Sequence, residues 1–274
     1  MNKVTIGEFL DNCYLKATKY NQEREGVKLL LLEYLDYNDT DLILNRDKEL
    51  SNEDLVKLNM IIDDYLLRNI PPQYILGYSY FYGMKLTVNK NVLIPRFDTE
   101  VLVDVVLSKL KGNERIIDVG CGSGAISLAI KKNAPSVYMS GVDISLDALL
   151  VAKENRDNLG LDVDYYQSDL LANTLIYDVI VSNPPYIKEG DKISDLVYQN
   201  EPHLALFAKE NGLYFYRRIL EEANIHLKDG GKIFFEIGYD QKEDIEKLVS
   251  KIMPNKRVEF FKDYGGRSRV AYIY

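Results

Sequence analysis

A chain of 274 residues, 46% of them hydrophobic and carrying a net charge of −8, supports one large domain or two ordinary ones with full cores. The acidic balance argues against a protein whose main task is gripping a phosphate backbone, and no run approaches the ~18 apolar residues of a membrane span. Two cysteines (Cys13, Cys121) and two histidines (His203, His226) offer no disulfide framework, zinc pattern or histidine-centred triad, so chemistry must come from carboxylates, amides, backbone or a cofactor. The opening MNKVTIGEFLDN lacks the apolar stretch of a signal peptide, and the unpaired cysteines fit a reducing cytosol, so a cytoplasmic protein is expected.

Residues 1–72 read as a small helical bundle. Thr5-Ile6-Gly7-Glu8 and Ser51-Asn52-Glu53-Asp54 resemble helix-capping patterns. After the second, Leu55, Leu58, Ile61, Ile62, Tyr65 and Leu66 recur at helical spacing until Pro71-Pro72 ends the segment. Residues 73–96 change character. Tyr78–Gly83, Met84–Val88 and Val92–Ile94, with Asn89-Lys90-Asn91 between the last two, read as a linking β-hairpin. Its tyrosines suit packing, with a base-stacking platform as the alternative.

Residues 97–274 alternate between strand and helix. A helix at 98–111 precedes strand 115–119, helix 124–133, strand 137–142 and helix 145–159. Strands 163–167 and 177–182, helix 212–228, strand 231–237 and helix 240–252 follow, and strands near 257–262 and 269–274 close the chain. This pattern predicts an α/β fold with a mostly parallel, Rossmann-like sheet, whose ligands sit at the carboxyl ends of the strands.

Asp118-Val119-Gly120-Cys121-Gly122-Ser123-Gly124-Ala125 follows the first strand of this region and opens a helix, where glycines let a ligand approach the main chain. Asp143 ends the next strand, at the distance where an acid reaches a ribose hydroxyl. Gly120, Gly122 and Ala125 also satisfy the dinucleotide pattern, so a nicotinamide cofactor is one reading. Two features favour S-adenosylmethionine. The acid-rich approach at Asp118 suits a ligand with an ammonium group and a sulfonium better than a pyrophosphate. Ser168-Asp169-Leu170 then follows the third strand, where an acid can accept from an adenine amino group.

Asn183-Pro184-Pro185-Tyr186 ends the strand at 177–182. The two prolines fix φ and remove two donors, leaving a stiff loop with an amide, outward carbonyls and an aromatic ring. A planar nitrogen is a poor nucleophile because its lone pair is delocalised. The Asn183 oxygen and the Pro184 carbonyl can accept its N–H groups and aim the lone pair at a methyl donor, with Tyr186 stacked on the planar group.

These residues resemble the class I S-adenosylmethionine-dependent methyltransferases that modify exocyclic or amide nitrogens. The flanks narrow the resemblance. Pro72–Gly77, Phe81-Tyr82-Gly83, Val92–Glu100, Glu201-Pro202 with Ala205-Leu206, Gly212-Leu213 with Tyr216-Arg217, and Glu236-Ile237-Gly238 with Gln241 all look like the PrmC/HemK family of protein-(glutamine-N5) methyltransferases. The resemblance implies a seven-stranded sheet with an antiparallel last strand. It implies that the methyl acceptor is the glutamine of the Gly-Gly-Gln loop of class 1 peptide chain release factors, with no direct nucleic-acid substrate and no membrane. It also assigns the loop Gly120, Cys121, Gly122, Ser123 and Gly124 to the methionine part of the cofactor, Asp143 to the ribose, and Asp169 with Leu170 to the adenine. Asn183 and Pro184 are expected to hold the glutamine amide beside the cofactor, with Pro185 and Tyr186 completing the catalytic loop. Thr99 and Glu100 are expected to support the donor site or merely to cap a helix. The 1–72 bundle is expected to dock the substrate protein.

Two departures stand out. Phe97 replaces a proline usual in this family, and Ala208-Lys209 stands where two glycines are common. The competing readings are a glutamine methyltransferase of a ribosomal protein and a DNA adenine or cytosine amino-methyltransferase, which use similar proline loops.

Overall fold

The computed structural model describes residues 3–274 and separates into two compact units, one running to Gly77 and joined by Ser194–Asn200, the other Tyr78–Ile193 with Glu201–Tyr274. The first unit packs helices Ile6–Lys19, Arg24–Leu35, Asp39–Leu44, Asn52–Leu66, Pro72–Leu76 and Asp195–Asn200. Thr5 and Glu8 close a reciprocal capping box, and the Ser51 hydroxyl accepts from the Asp54 N–H. Leu30, Leu31, Leu58, Ile62 and Tyr65 form the apolar centre of this unit, and the Tyr65 hydroxyl donates to the Glu23 carbonyl at 2.9 Å.

The sequence signal at Pro71-Pro72 stops one helix and starts another. Pro72 takes the first turn of a short helix, where a missing N–H costs nothing, and Gly77 closes it in the left-handed region. The segment 194–200 was legible only as a connection. It forms a helix whose Leu196 joins the apolar core of the first unit, while Asn200 donates to the Asn69 carbonyl at 2.7 Å.

The second unit opens with a hairpin of β1 (Tyr78–Phe81) and β2 (Met84–Thr87). Its turn residues Tyr82 and Gly83 both have positive φ, 50° and 69°, as a tight two-residue hairpin requires. The hairpin is shorter than the expected span. Residues 72–76 are helical, and Val92–Ile94 form no strand; the Ile94 N–H instead donates to the buried Glu201 carboxylate at 3.2 Å. Phe81, Met84 and Leu86 belong to the same core as the large sheet, so the hairpin packs as part of this unit.

Six parallel or antiparallel neighbours then build around β3 (Arg115–Val119): β4 (Tyr138–Asp143), β5 (Val163–Gln167), β6 (Tyr177–Ser182), and, beyond the short β7 (Ile187–Lys188) and β8 (Phe207–Ala208), β9 (Leu227–Glu236), β10 (Val258–Lys262) and β11 (Ser268–Ile273). The seven-stranded order is β10-β11-β9-β6-β3-β4-β5, with β11 antiparallel to both of its neighbours. Consecutive residues face opposite layers: Ile116, Val179 and Phe234 enter one core, and Ile117, Ile180 and Phe235 the other. Helices Glu100–Lys109 and Ala125–Asn133 supply the first layer, and Tyr214–His226 and Lys242–Ile252 the second.

One buried polar residue ties three elements together. Asn155, in helix Leu146–Leu159, is 1% exposed; its Oδ1 accepts from the Thr87 N–H at 2.6 Å, and its Nδ2 donates to the Thr87 and Ser123 carbonyls at 3.0 Å each. Removing such a side chain strands buried partners, at about 1–3 kcal/mol. Asn155→Ala is therefore expected to lower unfolding free energy by about that amount in urea titration, with the m-value unchanged.

Candidate active site

The site residues converge because parallel strands end together. Val119 pairs with Val142, Asp143 with Gln167 and Asp118 with Val181, so the loops after β3, β4, β5 and β6 open on one edge. The Ser182 hydroxyl donates to the Val119 carbonyl at 2.6 Å and binds the start of the glycine loop to the start of the Asn-Pro-Pro-Tyr loop.

The glycine loop alternates its handedness. Gly120, Gly122 and Gly124 have φ of 73°, 54° and 81°, and no atom lies within 4 Å of a Cβ placed on Gly120 or Gly122. Main chain is therefore open to close approach at these two glycines. Gly124 is closed instead: a Cβ there would meet the Tyr165 hydroxyl at 2.5 Å. Cys121 is buried, and burial pushes its thiol well above the usual range, so it acts as an apolar residue of the loop. Ser123 is buried and presents its carbonyl to Asn155.

Asp118 is fully buried beneath this loop. Its Oδ2 accepts from the Ser127 N–H at 3.1 Å, while Oδ1 has no partner. Burial pushes its pKa up to about 7 against the pull of Ser127. Asp143 ends β4, accepting from the Gly122 N–H through Oδ2 and the Ser145 N–H through Oδ1, each at 2.9 Å. Burial raises its pKa as well, with the three backbone donors around it opposing. Asp169 is exposed and carries an ion pair the sequence did not announce: Arg218 donates to both of its oxygens, at 3.0 and 3.2 Å. Leu170 beside it stands at φ 53°.

Asn183 leaves β6 with its Nδ2 donating to the Thr99 hydroxyl at 3.3 Å; its Oδ1 accepts no hydrogen bond among the described residues. Pro184 is buried and Pro185 half-buried. Tyr186 is tethered at both ends. Its hydroxyl donates to the Glu236 carboxylate at 3.2 Å, and its carbonyl accepts from Gln241 at 3.3 Å. Burial and the Glu236 charge keep its phenol protonated. Thr99 makes no side-chain helix cap; its hydroxyl instead accepts from Asn183 of the proline loop. Glu100 lies elsewhere in function: it accepts from the Tyr82 N–H at 2.7 Å and pins the hairpin turn.

Residues without an assigned role complete the surroundings. Glu236 and Gln241 lie behind Tyr186, and Arg269 pairs with Asp263 and Asp98 at 3.1 and 3.2 Å. Glu236 and Gln241 belong to the motifs that carried the family resemblance, without a role of their own, and Arg269 is marked only by its polar character within an otherwise apolar strand. Phe97 is exposed, with its ring 5.4 Å from that of Tyr264. Ala208 is buried in β8, which pairs with β7 just after the proline loop.

The sheet order with its single reversed strand, and a glycine loop facing an acid across the edge, are those of a class I S-adenosylmethionine-dependent methyltransferase. A family model for the methyltransferase small domain matches residues 96–205, and one for the PrmC N-terminal domain matches residues 12–77. The chain is 39% identical over 98% of both lengths to the release factor glutamine methyltransferase of Streptococcus pneumoniae, and 35% identical over 97% of its own length and 96% of the relative's to that of Bacillus subtilis. It belongs to the release factor glutamine methyltransferase family. A methyltransferase structure from Pyrococcus furiosus shares the fold at a TM-score of 0.55 and 19% identity, covering 82% of this chain and 98% of that one.

The closed side of the glycine loop yields a direct expectation. Gly124→Ala combines a left-handed φ with overlap against Tyr165, and overpacking of this kind costs about 1–3 kcal/mol. Thermal unfolding should show a melting temperature several degrees lower, and Gly124→Ala with Tyr165→Phe should recover part of the loss.

Proposed function

We propose that this chain transfers the methyl group of S-adenosylmethionine to the side-chain N5 of a release-factor glutamine, the one in the Gly-Gly-Gln loop of class 1 factors, and so modulates translation termination. The observation that carries this reading is the Asn183 amide, held by Thr99 on its nitrogen and open on its oxygen, at the edge shared with the glycine loop.

The donor set suits the cofactor. The loop Gly120–Gly124 offers open main chain at Gly120 and Gly122 for the methionine part, Asp143 stands ready for the ribose, and Asp169 with Leu170 for the adenine. The unpartnered Oδ1 of Asp118 is a buried anion in want of a cation, which the ammonium group supplies. When bound, the cofactor contributes an electrophilic methyl on sulfur. The protein then has to manage the acceptor. Asn183 Oδ1 and the Pro184 carbonyl take the two N–H groups of the glutamine amide, which breaks its preference for lying flat against water and aims the lone pair. Pro185 keeps the loop stiff, and Tyr186 stacks on the amide plane from its tethered position. As positive charge grows on nitrogen, both acceptors bind more strongly than in the ground state. The cationic nitrogen is then acidic enough to lose its proton to water, and no general base is required.

The helical unit is the docking element in this reading, supported by exposed Leu15, Val56 and Met60 on its surface. A release-factor substrate supports a cytoplasmic activity; no helix among the described residues is long and apolar enough to cross a membrane.

Two measurements test the reading. Asn183→Ala is expected to lower turnover on purified release factor about a hundredfold, the ~3 kcal/mol lost with one transition-state hydrogen bond, while S-adenosylhomocysteine affinity stays unchanged by calorimetry. Methyl transfer confined to ribosomal protein or duplex DNA would reassign the substrate. Asp118 has a folded pKa above its unfolded one, so its contribution to stability is full below the unfolded value and is lost as pH rises through about 7. Cofactor affinity runs the other way, because the ammonium needs the charged form: it should fall roughly tenfold from pH 8 to pH 6. Asp118→Asn should abolish that dependence, weaken binding, and raise the melting temperature of the apoprotein at pH 8.

A further inference from the structure

An amide side chain is useful in a clamp only in one of its two flipped orientations, and something must choose between them. Asn183 turned the other way would present N–H groups to an acceptor nitrogen that itself carries N–H groups. We propose that Glu236, acting through the Thr99 hydroxyl, is the positioning residue that holds the Asn183 oxygen toward the methyl-acceptor nitrogen; this rests on the amide clamp proposed above.

The register brings these groups together. Ser182 in β6 pairs with Phe235 in the parallel β9, so the next residues, Asn183 and Glu236, emerge side by side. Glu236 is 2% exposed, and its Oε1 takes the Tyr186 hydroxyl. Its Oε2 is buried without a hydrogen-bond partner in the resting geometry. The Arg269 guanidinium brings positive charge nearby, but its hydrogen bonds and ion pairs among the described residues go to Asp263, Asp98 and the Ile237 carbonyl, and none goes to Glu236. Thr99, whose hydroxyl meets Asn183 at 3.3 Å and favours the charged form of Glu236, is the neutral donor assigned to Oε2. Burial raises the pKa of Glu236, and the Thr99 hydroxyl, Arg269 and Tyr186 favour its charged form.

In the proposed relay the Thr99 hydrogen turns toward the unfilled Oε2 of Glu236, since a carboxylate only accepts, and the hydroxyl lone pairs are left toward Asn183. Those lone pairs can accept from Nδ2, as they do at 3.3 Å, and repel a carbonyl oxygen placed there. The chain of donors thus runs in one direction, from Asn183 through Thr99 to Glu236, and Asn183 Oδ1 is left facing out. Thr99 makes no helix-capping bond that would compete for its hydrogen or lone pairs. The same carboxylate anchors Tyr186, so one buried charge orients both polar members of the loop.

The test is a double-mutant cycle with Thr99→Val, which keeps the shape and removes the hydroxyl, and Glu236→Gln, which keeps the shape and introduces a competing donor. Each variant is assayed with labelled S-adenosylmethionine and purified release factor, beside S-adenosylhomocysteine calorimetry and thermal melting. Each single change should lower kcat about tenfold with KM for the release factor and cofactor-product affinity within about threefold, and Thr99→Ser should recover most of the loss. The double variant should be no slower than the worse single one, because both break the same chain. Losses that multiply, or a Thr99→Val enzyme with wild-type kcat, would overturn the relay. Asn183→Ala in the same assay separates the two ideas: if it is inactive while Thr99→Val is unaffected, only the relay falls, and if it keeps full turnover, the clamp itself falls. Should Glu236→Gln melt too low to assay, the Thr99→Val and Thr99→Ser pair still decides.

Discussion

Anions taken out of water at the carboxyl edge of the sheet organise this molecule. Asp118, Asp143 and Glu236 end or nearly end three of its strands, and burial raises the pKa of each. A dehydrated carboxylate is tolerated only where donors converge on it. Asp143 finds two backbone N–H groups, one of them from the glycine loop, so the loop's shape and the acid's position hold each other in place. Asp118 and Glu236 are each left one oxygen short. Those two incomplete shells lie beside the glycine loop and the Asn-Pro-Pro-Tyr loop respectively, so unmet demand for donors is concentrated at that edge of the sheet.

The Asn-Pro-Pro-Tyr loop has a mechanical frame as well as an electrical one. After Tyr186 the chain forms β7, and its partner β8 leads into Glu210, Asn211 and Gly212, all left-handed. Left-handed backbone costs roughly 1–2 kcal/mol per non-glycine residue. Arg217 offsets part of it by gripping both oxygens of Glu210 at 2.7 and 2.9 Å. Gly212 cannot be replaced there, since a Cβ would lie 2.2 Å from the Tyr186 carbonyl. Gln241 finishes the frame by donating to Tyr186 and accepting from the Gly238 N–H at 2.9 Å. Ala208 and Lys209 do not disturb it, because one packs into β8 and the other stays in solvent.

The hairpin illustrates how a connection becomes part of a site. Its strands carry apolar residues to the core, its turn is pinned by Glu100, and its end is held by Asn155, whose remaining N–H steadies the carbonyl of Ser123. The tyrosines that suggested base stacking are largely spoken for: Tyr82 donates to Asp104 at 2.6 Å, and Lys85 covers the Tyr78 ring. A hydrogen bond and a cation–π contact account for these two.

Local pattern settled most of the element order, because strands buried on both faces read as short β-branched runs and the helices between them keep their period. The glycine loop, Asp143 and the proline loop were legible for the same reason: each is a contiguous segment whose backbone chemistry is written in its own residues. Asp169 was legible as a position but not as the partner of Arg218, 49 residues away. Glu236, Gln241, Arg269 and Asn155 carried no local signal of their bonds, and the left-handed turn at 210–212 was hidden behind residues that elsewhere form helix. Their roles depend on strand register, which sets Glu236 beside Asn183 only after β6 and β9 have paired. Chain order alone was enough to read the elements and the two loops, Gly120–Gly124 and Asn183–Tyr186, that meet at the carboxyl edge of the sheet. The tertiary structure alone decided which buried charges face them, since a side chain's pKa and orientation come from neighbours that chain order does not place.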